Sequence, residues 1–416
     1  KKLFTNTELP VHSPKKKKKK RPVVVQDEFE DFKIAPATSN EIEELPGNED
    51  KNPFGLNDFQ LRAVHTVKQN VLIVAGPGTG KTRTLTYRIA HLIQNEDVAP
   101  ESILAVTFTN KAADEMRDRL QFLLDKSIVQ SITIKTFHAF GAMVLRNESD
   151  VLNYSPDFSI YDDSDRREVL KQVANHLSVK ELNELLIKIS DAKNKLLAPD
   201  YSFADIEFVN VYSAYQQALS KHHAFDFDDL IFWPVLLFQN HPKIADKYRK
   251  KYRWISVDEY QDINLAQYTL LKLLTNRRTN LCAIGDPDQA IYGFRGSDYS
   301  YFMKFSEDFP KAVKIDLIKN YRSNQNILSA SDQVIRKNPD RLETKVWSEI
   351  ISKGRLEIFK TPTEKSEAET IVHQTEKMVG ATSFFSVDSG RAGDDESTAG
   401  VSFGDIAVLY RLHAQL

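Results

Sequence analysis

The chain has 416 residues, which is long for one domain and suits two or three. Its formal net charge of −2 excludes a global positive field that would attract nucleic acid, so any nucleic-acid site must be a local basic patch. No apolar run approaches the roughly 20 residues that cross a bilayer. The single cysteine, Cys282, excludes an intrachain disulfide and a zinc site built on thiolates.

Residues 1–52 differ in composition from the rest of the chain. Six consecutive lysines, residues 15–20, are followed by an acidic stretch. Blocks of like charge with few apolar residues cannot bury enough surface to offset the entropy lost on ordering. We therefore predict a disordered tail or linker, in which the lysine run is either a nucleic-acid-binding arm or a solvated linker.

From Asn57 onward, short aliphatic or β-branched runs alternate with helix-like segments. This alternation predicts an α/β fold, with a parallel sheet covered by helices on both faces. Between about Ser149 and Phe225 the strand-like runs vanish, which predicts a helical insertion into the first α/β domain. The predicted strands are Val71–Ala75, Ile103–Thr107, Ile132–Lys135, Ile255–Val257, Leu281–Ile284 and Val313–Leu317.

A second α/β unit is predicted to begin near Val313. It contains strand-like runs at Leu356–Phe359 and Ile406–Tyr410, a helix at Glu364–Val379, and a mobile surface loop over Gly380–Gly404. The predicted division is therefore a first domain of residues 53–148 and 223–312, an insertion of residues 149–222 and a partial second domain of residues 313–416.

A glycine-rich loop, Ala75-Gly76-Pro77-Gly78-Thr79-Gly80-Lys81-Thr82, follows the first strand and precedes a helix-like stretch. This context predicts a phosphate-binding loop, because glycines let backbone N–H groups turn toward phosphates at a helix N-terminus. Lys81 can neutralise the β- and γ-phosphates of ATP, and Thr82 can hold Mg²⁺. The predicted nucleotide-binding residues of this segment are Gly76, Gly78, Thr79, Gly80, Lys81, Thr82 and Arg83.

Two adjacent acids follow the strand that ends at Val257. The carboxyl end of a buried parallel strand lies beside the ligand crevice of an open α/β sheet. Asp258 is predicted to hold Mg²⁺ with Thr82, and Glu259 to orient or deprotonate the attacking water.

The ordered set of motifs resembles the UvrD/Rep superfamily 1 helicases. The matching segments, in addition to the phosphate loop, are Leu56–Gln60, Thr107–Ala113, Thr136–His138, Phe225–Leu230, Asp258–Asp262, Gly285–Gly296 and Asn320–Ser323. The resemblance implies a P-loop NTPase of RecA-like fold, with the beginning of a second RecA-like domain, ATP and Mg²⁺ as cofactors, and DNA as partner.

The resemblance also assigns residues around the nucleotide. Gln60 would hydrogen-bond the adenine edge, and Tyr321 would stack on the adenine ring. Arg322 would reach the γ-phosphate, and Gln289 would sense the γ-phosphate and couple it to the DNA site. The predicted catalytic residues are therefore Lys81, Asp258, Glu259, Gln289 and Arg322.

On the DNA side, Phe108, Tyr292 and Phe294 are predicted to stack on unpaired bases without reading sequence. Core packing is the alternative for Phe108, because phenylalanines are most often buried. The family usually has tryptophan where this chain has Phe294. We predict contacts to the phosphate or sugar of the DNA from Asn110, Thr136, His138 and Arg295.

The resemblance implies an ATP-dependent 3′-to-5′ translocase that acts on single-stranded DNA and duplex junctions, in a cytoplasmic protein, nucleoid-associated if bacterial, with DNA repair as the family-level role. We expect the later family motifs, including a further arginine near the γ-phosphate, beyond Leu416. The chain is therefore expected to be a fragment that binds nucleotide, hydrolyses it poorly and does not unwind DNA alone.

Three alternatives stay open at the level of sequence. The chain could be the motor segment of a nuclease–helicase fusion, which residues 1–52 neither support nor exclude. It could be a non-catalytic ATP-dependent clamp, against which Lys81, Asp258 and Glu259 argue. It could act on RNA, although the Asp258–Asp262 motif resembles the DNA-directed group.

Overall fold

The computed structural model describes residues 55–199, 201, 205–339, 341–342, 344–350, 356–380 and 401–410. The whole predicted tail, residues 1–52, and residues 381–400 of the predicted surface loop lie outside this part of the chain. Within it, no helix is both long enough and apolar enough to span a membrane.

The central sheet has six parallel strands in the order β3-β2-β6-β7-β1-β8. All six predicted strands are present in it, which confirms the α/β fold. Two further pairs, β4 with β5 and β9 with β10, are also parallel. The strands are β1 Val71–Ala75, β2 Ile103–Thr107, β3 Thr133–Thr136, β4 Ser159–Tyr161, β5 Ala224–Asp226, β6 Trp254–Val257, β7 Asn280–Gly285, β8 Val313–Leu317, β9 Lys319–Asn320 and β10 Trp347–Ser348.

Helices connect the strands and cover both faces of the sheet. They are α1 Asp58–His65, α2 Lys81–Gln94, α3 Asn110–Gln121, α4 Lys126–Ser131, α5 Phe137–Asn147, α6 Ser149–Leu152, α7 Asp163–Val173, α8 Val179–Asn194, α9 Ile206–Lys221, α10 Asp229–Asn240, α11 Pro242–Lys251, α12 Leu265–Leu274, α13 Ser300–Met303, α14 Phe305–Asp308, α15 Gln325–Ile335 and α16 Glu364–Val379. Short 3-10 turns occupy Pro100–Ser102, Tyr260–Asp262, Pro287–Gln289, Gly293–Arg295 and Phe403–Asp405.

Alternate residues of β1 enter two different hydrophobic cores, because successive side chains of a strand point to opposite faces. Leu72 and Val74 pack with α5, α10, α11 and α12. Val71, Ile73 and Ala75 pack with α1, α2, α3 and α4. The run is therefore apolar throughout, as expected for a strand buried on both faces.

The insertion has a core of its own, formed by α7, α8 and α9. The prediction that strands vanish between Ser149 and Phe225 is wrong at β4, whose three residues pair with β5. A three-residue strand is too short to produce a periodic signal in the sequence. The pair joins the start of the insertion to the segment that leads back into the first domain.

The sequence predicts that β8 belongs to the second α/β unit. The structure instead pairs β8 with β1, as the edge strand of the first sheet. The register aligns Val71 with Val313 and Ala75 with Leu317. The apolar pattern that predicts a strand does not indicate which sheet the strand joins. The division into domains stays a prediction.

The strand predictions at Leu356–Phe359 and Ile406–Tyr410 are wrong, because neither segment has strand pairing among the described residues. Apolar alternation needs a neighbouring strand before it can form a ladder. Both segments instead line one cleft with α16, and the predicted helix Glu364–Val379 is confirmed.

Candidate nucleotide site and nucleic-acid interface

The phosphate loop connects β1 to α2 and requires glycine at two positions. Gly78 and Gly80 have φ angles of 69° and 86°, in the left-handed region that side chains rarely adopt. A Cβ at Gly78 would lie 2.6 Å from Asn320 Nδ2. The Thr79 hydroxyl donates to the Gly76 carbonyl oxygen at 2.7 Å and closes the loop. The loop therefore presents its backbone at the N-terminus of α2, where an anion is favoured.

The predicted catalytic carboxylates lie opposite this loop. Glu259 Oε2 is 3.8 Å from Lys81 Nζ, so the fold brings together two residues that follow different strands in the sequence. Burial, and after it the neighbouring Glu259 carboxylate, raise the pKa of Asp258 to about 7, although the hydrogen bond from the Glu259 N–H and the Lys81 ammonium act in the opposite direction.

The residues present fit a Mg²⁺ ion. Asp258 is only 4% exposed, and its raised pKa reflects a buried negative charge that a cation would compensate. Thr82 lies in the first turn of α2, directly after Lys81. A carboxylate, a hydroxyl, phosphate oxygens and water are the ligands that Mg²⁺ prefers.

Gln261 connects the carboxylates to the neighbouring strand, and sequence reasoning missed it. Its side chain is buried, and Nε2 donates to Glu259 Oε2 at 2.8 Å and to Asp262 Oδ2 at 3.1 Å. Its Oε1 accepts the Asp286 N–H at 3.0 Å. Gln289 Nε2 donates to Asp286 Oδ2 at 2.7 Å, so the predicted γ-phosphate sensor joins the same network. The sequence signal that could have identified Gln261 is its position between the acidic residues of the Asp258–Asp262 motif.

The predicted adenine-side residues meet at the other end of the loop. A capping box at the start of α1 fixes Gln60, whose Oε1 accepts the Asn57 N–H at 3.1 Å while its Nε2 donates to the Thr79 carbonyl at 3.0 Å. The Tyr321 hydroxyl accepts a hydrogen bond from Asn57 Nδ2 at 2.7 Å. The Tyr321 N–H donates to the Gly78 carbonyl at 2.9 Å.

Two further residues tie this region together. Asn320 Nδ2 donates to the Pro77 carbonyl at 2.6 Å, so Asn320 and Asn57 are contacts that sequence reasoning missed. The Arg322 side chain is exposed beside the loop, with its Cβ 2.7 Å from where a Cβ on Gly78 would be. Arg83 Nη2 donates to the Gly55 carbonyl at 3.4 Å, and the Arg83 guanidinium lies 5.6 Å from the Tyr87 ring centroid.

Four of the predicted DNA-contacting residues form one cluster. The rings of Phe108 and Tyr292 are 5.1 Å apart, and those of Tyr292 and Phe294 are 6.2 Å apart. The Arg295 guanidinium lies 5.4 Å from both the Tyr292 and the Phe294 centroids. Phe294 is 76% exposed, and Phe108 is partly buried. The cluster thus presents aromatic faces and a cation to solvent.

The remaining three predicted contacts have different surroundings. Asn110 is exposed at the start of α3. The Thr136 hydroxyl accepts the Ala139 N–H at 3.1 Å and caps α5. The His138 ring stacks on Phe227 at a centroid distance of 3.9 Å, and burial lowers the pKa of His138 to about 4. In this arrangement the imidazole is neutral at pH 7.

Two family models cover most of the chain. The UvrD/REP helicase N-terminal domain matches residues 56–310, and the UvrD-like helicase C-terminal domain matches residues 315–416. The chain belongs to the UvrD/Rep helicase family. This confirms the family predicted from the motifs, and the RecA-like architecture agrees with the observed parallel sheet.

Relatives in this family include ATP-dependent DNA helicases named PcrA. The chain is 40% identical over 371 residues to PcrA of Leuconostoc citreum, which covers 87% of this chain and 47% of that protein. It is 38% identical over 370 residues to PcrA of Staphylococcus epidermidis, covering 86% of this chain and 48% of the relative. The match to PcrA of Staphylococcus aureus is 38% over 372 residues. The chain spans about half the length of these curated relatives.

Proposed function

We propose that this chain is an incomplete part of the ATP-hydrolysing motor of a DNA translocase that moves along single-stranded DNA. The relatives' name, ATP-dependent DNA helicase, supports this class of activity. The observation that carries the proposal is the approach of Lys81 to Glu259 at 3.8 Å, beside the buried carboxylate of Asp258. A phosphate-binding ammonium, a metal-binding carboxylate and a water-orienting carboxylate are the groups that phosphoryl transfer to water requires.

In the proposed reaction, Lys81 exchanges its contact with Glu259 for the β- and γ-phosphates of ATP. Glu259 is then free to accept a hydrogen bond from the attacking water and to take its proton. Arg322 stabilises the charge that develops on the γ-phosphate. Thr82 and Asp258 would hold Mg²⁺, which supplies positive charge to the phosphate oxygens when bound.

The proposed adenine contacts follow from the same arrangement. Gln60 and Tyr321 would exchange their present hydrogen bonds to Thr79 and Asn57 for the adenine edge and ring. Gly76, Gly78, Thr79 and Gly80 would hold the phosphates through backbone N–H groups, and Arg83 would lie at the edge of this site.

Coupling to DNA is proposed to run through one loop. Tyr292 follows Gln289 within the segment that connects β7 to α13, so a movement of the γ-phosphate sensor reaches the aromatic cluster directly. Phe108, Tyr292 and Phe294 would stack on bases, while Arg295, Asn110, Thr136 and His138 would contact the backbone. ATP can drive such a step only by binding one loop position better than the other. The 3′-to-5′ direction and a preference for duplex junctions rest on the family resemblance.

The test uses the 416-residue chain with a fluorescent ATP analogue, single-stranded DNA and Mg²⁺. We expect nucleotide binding, and slow ATP hydrolysis that single-stranded DNA stimulates more than an RNA of equal length does. Lys81→Ala should abolish nucleotide binding. Glu259→Gln should keep nucleotide binding but lower kcat by about 100-fold or more.

Three results would contradict the proposal. Nucleotide affinity that ignores Lys81→Ala would show that the glycine-rich loop is not the site. ATP turnover that ignores Glu259→Gln would remove the water-orienting role. Equal stimulation by RNA and DNA would move the substrate class to RNA.

A further inference from the structure

Arg341, which the sequence analysis did not single out, forms an ion pair with the 3-10 turn Pro287–Gln289. This turn is called the sensor turn because it contains Gln289. Arg341 Nη2 donates to Asp288 Oδ2 at 2.8 Å, and Arg341 Nε donates to Asp288 Oδ1 at 3.0 Å. Asp288 belongs to the 3-10 turn Pro287–Gln289, next to the proposed γ-phosphate sensor. The Arg341 side chain is 12% exposed, and its Nη1 lies 3.6 Å from Asp332 Oδ1 on α15.

The Arg341–Asp288 ion pair is the outer end of a continuous set of hydrogen bonds. The Asp288 N–H donates to Asp286 Oδ1 at 3.1 Å, and Gln289 Nε2 donates to the other carboxylate oxygen of Asp286. The Asp286 N–H donates to Gln261 Oε1, and Gln261 Nε2 donates to Glu259. The series therefore connects Asp288 with the carboxylate that faces Lys81.

The centre of this series is closely packed. A Cβ at Gly285 would collide with Gln261 Oε1, so the strand end before Asp286 has space for this amide only because position 285 is glycine. Gln261 uses both ends of its amide, which leaves one orientation that satisfies all of its partners. Gln261 therefore connects the backbone of Asp286, directly before the sensor turn, to the Glu259 carboxylate.

The same stretch of chain that carries Arg341 also contacts the phosphate loop. Asn320 donates to the Pro77 carbonyl, and Val346 Cγ2 is 2.7 Å from where a Cβ on Gly76 would be. Residues 320–346 thus begin and end on the phosphate loop, while Arg341 within them holds the sensor turn. Both loops that would face the γ-phosphate are attached to one segment.

We propose that Arg341 is a positioning residue, whose ion pair with Asp288 holds Gln289 and Glu259 at the places that γ-phosphate hydrolysis requires. The inference rests on the proposed ATPase function. An arginine is suited to this task because its planar fork fixes a carboxylate through two parallel bonds, which a lysine cannot do.

The experiment compares Arg341→Ala and Arg341→Lys with the unaltered 416-residue chain. Both variants should lower kcat for DNA-stimulated ATP hydrolysis, Arg341→Ala by about tenfold, while KM for ATP stays within about twofold. Amide hydrogen exchange in the Pro287–Gln289 turn should become faster. Asp288→Ala should have the same effects, and the double variant should be no slower than either single variant, because both remove one interaction.

Arg336→Ala is the matched control. Arg336 also pairs with Asp332, at 2.6 Å, but it is 59% exposed and has no bond to the sensor turn in the described structure. It should leave kcat and the exchange of the turn unchanged. If Arg336→Ala lowers kcat as much as Arg341→Ala does, or if Arg341→Ala changes KM and kcat together with the urea midpoint, Arg341 has a merely structural role and the proposal is overturned.

The exchange measurement separates this inference from the proposed function. If the unaltered chain does not hydrolyse ATP, the proposed function fails, and the turn is then judged by exchange alone. Faster amide exchange in the sensor turn of Arg341→Ala would support the positioning role of the ion pair even if the chain does not hydrolyse ATP. Unchanged exchange would overturn it.

Discussion

At the scale of single residues, His138 links the proposed DNA surface to pH. Burial against Phe227 lowers its pKa from 6.5 to about 4, so the unfolded chain binds more protons between these values. The free energy of unfolding should therefore fall as pH decreases from 6.5 toward 4. This residue alone should remove about 2 kcal/mol between pH 7.5 and pH 5. His138→Gln should lose that part of the pH dependence, as measured by urea unfolding at both pH values. Parallel losses in the two proteins would contradict the assignment.

The individual site residues differ in how far the sequence could predict them. Lys81, Thr82 and Glu259 lie in contiguous motifs, and their proposed roles were inferred from the spacing and the flanking strands of those motifs. The Asn57–Tyr321 hydrogen bond joins residues 264 positions apart, and no local pattern contains such a contact. The same limit applies to Arg341, because its importance follows from its partner in space.

At the scale of elements, the aromatic cluster after β7 gives a prediction for DNA affinity. Phe294→Ala should weaken binding of single-stranded DNA by about 1–3 kcal/mol, because one base loses its stacking partner. Phe294→Trp should bind at least as tightly, since the larger ring offers more stacking surface. Fluorescence anisotropy with a labelled oligonucleotide measures both changes.

Phe122 provides a matched control for that substitution. Phe122 is 89% exposed and directly follows the last residue of α3. It therefore lies at the opposite end of this helix from Phe108 of the cluster, which lies two residues before Asn110. Phe122→Ala should leave DNA affinity unchanged. An equal loss in Phe122→Ala and Phe294→Ala would mean that general surface hydrophobicity, rather than the cluster, accounts for binding.

A buried group of charged side chains joins α8, in the predicted insertion, to β5 and α10. Lys193 of α8 is fully buried, and its Nζ lies 2.7 Å from Asp226 Oδ2 and 2.8 Å from Asp229 Oδ1. Lys193→Met removes the cation of Asp229 and the nearer of two cations at Asp226, whose Oδ2 also lies 3.6 Å from Arg166 Nε, which should cost about 3–5 kcal/mol of stability in urea unfolding. Lys195→Met, at the exposed Lys195–Asp191 pair, should change stability by about 0.5 kcal/mol or less. Similar effects of the two substitutions would contradict the role of the buried cluster.

The elements themselves show which signals a sequence carries. The strands of the main sheet were predictable, because doubly buried parallel strands are continuous apolar runs. The strand β4 was not, since its side chains are exposed or partly buried and its pairing comes from β5. The membership of β8 in the first sheet depends on register with β1, which strand propensity does not determine.

At the scale of the whole molecule, bound nucleotide should stabilise more than the phosphate loop. The loop is hydrogen-bonded to residues that follow β8, through Asn320 to Pro77 and Tyr321 to Gly78. A ligand held by Lys81 and Tyr321 would therefore bridge the first sheet and the segment that leads into α15. At about 100 times its Kd, a ligand that binds only the folded state adds about 2.7 kcal/mol to stability.

Hydrogen exchange can show how far this stabilisation extends. With Mg²⁺ and a non-hydrolysable ATP analogue, we expect slower exchange in α2, in β8 and in α15, because opening any of these elements would release nucleotide contacts. Lys81→Ala should lose protection in all three together, whereas Tyr321→Ala should lose it mainly in α15. Protection confined to α2 in the unaltered chain would mean that the nucleotide is held by the first sheet alone, and the bridge through Asn320 and Tyr321 would then play no part in binding.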